Sequence, residues 1–161
     1  KIYLLAQEGG ATLPKCESTK MLITQACKSL NAVCEAKQST QLEMQRLAAM
    51  LPEYEVVMQM EGAGPITGPA LMAEIGDVRR FKSRHVSKRG SPHLRRTIFI
   101  VSNIILTRSN PENAVYCFMD KKRSEGKHYY VYTVAGSAKF LRVYYARVTE
   151  FLRSQPSSDA C

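Results

Sequence analysis

Met60-Glu61-Gly62-Ala63-Gly64-Pro65-Ile66-Thr67 is the stretch on which the fold turns. Two glycines and a proline so close together stop one helix and leave room for the start of another. Val57, Met58 and Met60 precede the break, and Ile66, Leu71, Met72 and Ile75 follow it at helical packing intervals. The spacing predicts a short helix from about Tyr54 to Met60 and a second ending near Ile75-Gly76, joined as a helix-hairpin-helix unit. In such a unit the amides at the start of the second helix meet phosphates without reading sequence. Gly62, Gly64 and Thr67 are therefore candidate contacts, with a plain helical turn as the competing reading.

Upstream, residues 1–16 contain Gly9-Gly10 and Pro14 and read as a loose lead-in. From about Glu17 to Leu51 there is no glycine or proline. Ile23, Ala26, Leu30, Val33, Lys37, Thr40, Met44, Leu47 and Leu51 fall on alternating three- and four-residue steps, a coiled-coil spacing interrupted by Lys37 and Thr40. This helix either pairs with a second chain or lies along its own domain, and Pro52 ends it.

Downstream, Ser91-Pro92 supplies an N-cap and a first-turn proline for another helix. Leu94, Ile98, Val101 and Ile105 form its apolar stripe, Arg95 and Arg96 point away, and Asn110-Pro111 stops it. A further helix is expected from about Glu112 to Glu125, closed by Gly126. The last is expected from about His128 to Leu152, with Val131, Val134, Ala138, Leu141, Tyr145, Val148 and Leu152 buried. Tyr129, Tyr130, Tyr132, Tyr144 and Tyr145 suit either an amphipathic core or stacking on bases. No set of strands is legible, so the class is all-α: a long coiled-coil-like helix (17–51), then a helical domain (52–153) and a tail (154–161).

Charge is unevenly spread over the 161 residues. Residues 1–78 hold six basic and nine acidic side chains, whereas 79–128 hold thirteen basic and three acidic. Between Arg79 and Arg96 there are eight cations and no acid. Concentration of this kind marks a binding face for phosphodiesters, with a solvated face as the bland reading. Lys82, Arg84, Lys88, Arg89, Arg95 and Arg96 are the expected phosphate contacts.

Other chemistry is thinly represented. Cys16, Cys27, Cys34, Cys117 and Cys161 form no C-x-x-C pair, and His85, His93 and His128 share no metal-ligand spacing with them. They are expected to be buried reduced thiols in a cytoplasmic protein. Hydrophobic content of 45% suffices for a packed core. No apolar run is long enough to cross a bilayer, and no secretory signal pattern opens the chain. Position 1 is lysine, which fits a processed or cut-down piece.

The order of the motifs resembles the C-terminal half of the IS-one-ten insertion-sequence transposases. The carrying residues are Met60-Glu61-Gly62-Ala63-Gly64-Pro65, then Leu71-Met72-Ala73-Glu74-Ile75-Gly76-Asp77-Val78-Arg79-Arg80-Phe81. Ser87-Lys88-Arg89-Gly90-Ser91-Pro92-His93-Leu94-Arg95-Arg96 and Gly126-Lys127-His128-Tyr129-Tyr130 follow in order. The resemblance covers about residues 54–152, and the 17–51 helix looks like the family's coiled-coil insertion.

The resemblance implies a bridge-RNA-guided DNA recombinase whose RuvC-like acidic domain binds Mg²⁺ and whose C-terminal domain supplies a serine nucleophile from a Ser-Gly segment. It further implies DNA and a guide RNA as partners. This sequence departs from the pattern twice. It contains no acidic tetrad, and Phe81-Lys82-Ser83-Arg84-His85 joins almost directly to Ser87-Lys88-Arg89-Gly90, with no Ser-Gly pair anywhere. No catalytic residue, metal ligand or cofactor is therefore assigned to this chain.

The expectation is a part that binds DNA or RNA and self-associates through the 17–51 helix, without catalysis of its own. Phosphoryl transfer needs an activated nucleophile or a metal cage, and Glu112, Asp120 and Glu125 instead balance nearby cations. The rival is a stand-alone helical protein-interaction module whose basic face docks an acidic partner.

Overall fold

The computed structural model describes residues 14, 16–83, 90–108 and 110–155. Among them six α-helices and one 3₁₀ turn occur and no strand, in agreement with the all-α expectation. They are α1 (Glu17–Ala48), α2 (Tyr54–Met58), α3 (Thr67–Ile75), the 3₁₀ turn Val78–Arg80, α4 (Pro92–Arg108), α5 (Ala114–Ser124) and α6 (Tyr129–Ser154). Two compact units divide the chain after Leu42, inside α1, whereas the sequence reading set its boundary after Leu51.

In the first unit α1 carries Met21, Leu22, Ile23, Leu30, Val33 and Leu42 exposed. Along it Lys20 Nζ lies 3.9 Å from Glu17 Oε1, an exposed pair that contributes little. In the second unit Ala48 is the one buried residue of α1.

The core of the second unit joins Val57, Met60, Leu71, Met72, Ile75 and Val78 to Ile98, Val101 and Ile105 of α4. Met119 of α5 and Phe140, Tyr144 and Val148 of α6 complete it. α4 forms where the sequence placed it. Ser91 Oγ accepts from the amides of His93 and Leu94, both at 3.2 Å, and Ile98, Val101 and Ile105 are buried. α5 starts later than expected because Asn113 Oδ1 caps it, accepting from Val115 and Tyr116 amides. It closes with paired bonds from Gly126 N to Arg123 O and from Lys127 N to Lys122 O.

The stripe of α6 is a correction. Val148 is buried, and Leu141, Tyr145 and Leu152 pack at the edge of the core, but Val131 and Val134 are 52% and 60% exposed. Thr133 and Gly136 take the inward positions in that half. A Cβ at Gly136 would collide with the Met119 thioether, so a small residue is what lets α5 approach. Ser102 and Ser137 hydroxyls pair at 2.9 Å between α4 and α6, satisfying polar groups where the backbones run close.

Two other expectations change. Cys16, Cys27, Cys34 and Cys117 are free and exposed rather than buried, Cys16 just ahead of α1 and the others on uncovered helix faces; Cys161 lies outside the described residues. The tyrosines divide. Tyr144 is buried and Tyr132 and Tyr145 half-buried, while Tyr130 is 60% exposed and stacks on Phe99 and His128. Among the described residues no helix is long and apolar enough to cross a membrane.

Candidate nucleic-acid interface

The hairpin between α2 and α3 is built on internal bonds. Gly62 has φ +86°, a left-handed conformation that favours glycine. A Cβ there would lie 2.8 Å from Val101 Cγ1 and 3.0 Å from Ile105 Cγ1, so the turn is pressed against α4. Thr67 Oγ1 donates to Gly62 O at 2.9 Å and accepts from Gly64 N at 2.7 Å. Ala63 N reaches Met60 O at 3.0 Å, and Gly68 N reaches Gly64 O at 2.8 Å.

This places the three hairpin residues of the sequence reading differently from a phosphate cradle. The Thr67 side chain is buried, and it and the Gly64 amide satisfy each other. The positive φ falls on Gly62, not on Gly64, where a Cβ would meet only Thr67 Oγ1 at 3.8 Å. Packing against α4 is what this turn visibly accomplishes.

The cations are arranged around the base of the following segment. Ser91 Oγ donates to Glu74 Oε2 at 2.6 Å while capping α4, so the start of α4 is tied to the last turns of α3. The carboxylate also sits favourably at a helix N-terminus. From these tied ends extend Arg79, Arg80 and Lys82 on one side and Arg95 and Arg96 on the other, all exposed. Arg84, Lys88 and Arg89 lie outside the described residues, as do His85 and Ser87.

Local contacts hold the first group. Asp77 Oδ1 accepts from Arg79 N at 2.8 Å, and Arg79 Nε lies 3.0 Å from Oδ2. The Arg79 side chain, followed by its amide, holds the Asp77 carboxyl below the usual carboxylate range. Arg80 stacks its guanidinium over Phe81, 4.6 Å from the ring centroid. Tyr145 OH donates to Phe81 O at 3.2 Å, fastening this segment to α6.

Sequence reasoning missed the contribution of α6. Lys139, Arg142 and Arg147 line an open groove of about 510 Å³ along its outer face, with Glu150 as the acid among them. Arg153 turns instead toward the 78–82 segment. Their helical spacing is present in the sequence, but the net charge of residues 129–161 is small beside that of 79–128 and does not single them out. A Mg²⁺ site of the kind the resemblance implies would need clustered ligands. Among the described residues no three His, Cys, Asp or Glu come together, and no catalytic step is assigned to a metal.

A family model described as the transposase IS116/IS110/IS902 family matches residues 54–86. The match takes in α2, the hairpin, α3 and the first cationic residues, which supports a transposase-related function. No curated protein and no solved structure matches the chain. By its hairpin and the segment after it, this chain is similar to the insertion-sequence transposases.

Proposed function

We propose that this chain is the nucleic-acid-binding and self-association part of an insertion-sequence transposase, a C-terminal region without catalysis of its own. The observation that carries the proposal is the family match at residues 54–86, running directly into a segment whose described cations are exposed. Lys82, Arg84, Lys88, Arg89, Arg95 and Arg96 are the phosphate contacts, whether on DNA or on a guide RNA. Gly62, Gly64 and Thr67 act by shaping the turn that precedes these cations, since Thr67 Oγ1 is bonded to both Gly62 O and Gly64 N. Self-association uses the apolar seam of α1, where Ile23, Leu30 and Val33 are more than half exposed.

Fluorescence anisotropy with a duplex oligonucleotide tests the binding. Neutralising about six phosphates lowers affinity about a thousandfold between roughly 50 and 200 mM salt. Absence of binding at the lower salt overturns the proposal. Association with an acidic protein instead of duplex would favour the interaction-module reading.

A further inference from the structure

A second, smaller recess lies on the domain, between the 78–82 segment and the C-terminal half of α6. Its volume is about 340 Å³, and Arg79, Lys82, Tyr145, Thr149, Leu152 and Arg153 are among its lining residues. Three of these are cationic and no carboxylate lines the recess. Leu152 and the Tyr145 ring supply an apolar floor, and Tyr145 OH is already committed to Phe81 O.

Thr149 is the unexplained group. Its Oγ1 is buried and has no hydrogen-bond partner, the sole such side-chain atom among the described residues. Hydroxyls inside helices ordinarily bond the carbonyl one turn back. Thr133 does so to Tyr129 O at 2.8 Å, Ser137 to Thr133 O at 2.9 Å, and Thr97 to His93 O at 3.1 Å. Thr149, in the same helix as the first two, makes no such bond. An unpaired buried hydroxyl is destabilising, and such an atom in a native fold asks for a partner from outside.

We infer that this recess binds a phosphate group, with the Thr149 hydroxyl turned about χ1 from its buried position to donate to a phosphate oxygen, and Lys82 and Arg153 balancing the charge. A tetrahedral dianion or a phosphodiester matches what the site provides: one neutral donor, flanking cations and no acid among the lining residues. The phosphate is either part of a nucleic-acid backbone or free. The first source rests on the function proposed above, and the second does not.

Three variants decide the matter: Thr149→Val, Arg153→Gln and, as a charge-matched control on exposed α5, Lys121→Gln. Each is titrated with duplex DNA by anisotropy, and each is melted in inorganic phosphate against chloride at equal ionic strength. Loss of a hydrogen bond to a charged group weakens binding by about tenfold. The expected result is therefore duplex affinity about tenfold lower in Thr149→Val, and lower in Arg153→Gln than in the control. A phosphate-specific rise in melting temperature, present in the wild type and missing in Thr149→Val and Arg153→Gln, would equally support the site with free phosphate as the source.

A purely structural hydroxyl behaves otherwise. Thr149→Val would then raise the melting temperature in chloride while leaving both readouts unchanged, and that result overturns the inference. If Thr149→Val does not fold, Arg153→Gln decides: equality with Lys121→Gln in both assays overturns the site. Failure of the wild type to bind duplex sinks the proposed function, while the phosphate melts still judge the recess.

Discussion

Helices α1 and α4 both carry apolar stripes, the first broken at Lys37 and Thr40, and the two stripes meet opposite fates. In α4, Ile98, Val101 and Ile105 are at most 4% exposed. In α1, Ile23, Leu30, Val33 and Leu47 are between 51% and 66% exposed. Periodicity therefore identifies a face without saying what covers it. What covers α4 is the hairpin before it, through a glycine that admits no side chain, together with α6 behind it. The contrast predicts that substitutions of equal severity are felt very differently in the two helices.

The largest effect is expected at the contact between hairpin and α4. Gly62→Val adds a branched side chain at φ +86° against Val101 and Ile105. Backbone strain and overpacking together make a loss of roughly 2–5 kcal/mol in urea unfolding. Gly64→Ala, two residues away, should stay within about 0.5 kcal/mol of wild type. Equal losses at the two glycines would mean that the contact with α4 does not hold the turn.

An intermediate effect is expected with pH. Burial, and secondarily the charge of Glu53, push the Tyr144 hydroxyl well above its ordinary value of 10.0. A raised folded value leaves stability intact below about pH 10 and removes it as pH climbs further, because the unfolded tyrosine ionises first. One unit above that point the loss is about 1.4 kcal/mol. Tyr144→Phe should remove this part of the decline between neutral pH and pH 11. An unchanged decline would show that Tyr144 ionises as easily when folded.

The smallest effect on unfolding is expected in α1. Leu30→Asp combined with Leu47→Asp places charges on positions exposed in the single chain and should shift the unfolding of the monomer by no more than about 0.5 kcal/mol. Sedimentation at micromolar concentration should nonetheless move from dimer to monomer. A wild type that sediments as a monomer removes the seam from the account.

How much was legible follows from the same contrast. The cap and stripe of α4 could be read because Ser91-Pro92 and four well-spaced apolar residues act locally. The first half of α6 was misread because its contacts select small residues. Thr133, Gly136 and Ser137 face inward since Met119 and Ser102 come close, and no hydropathy pattern announces such proximity. Of the interface, the cationic run was visible in sequence. The meeting of Lys82 with Arg153 and Thr149 was not, because it depends on how α6 folds back along the 78–82 segment.

The bond between Ser91 and Glu74 has a consequence for how such a domain can vary. It ties the start of α4 to the last turn of α3, while Tyr145 OH holds Phe81 O to α6, and neither bond involves the chain between Phe81 and Ser91. With the ends held, doubling the length of a flexible connection raises its closure entropy by only about 0.6 kcal/mol. The tie between α3 and α4 thus makes little demand on the length of chain that separates Phe81 from Ser91.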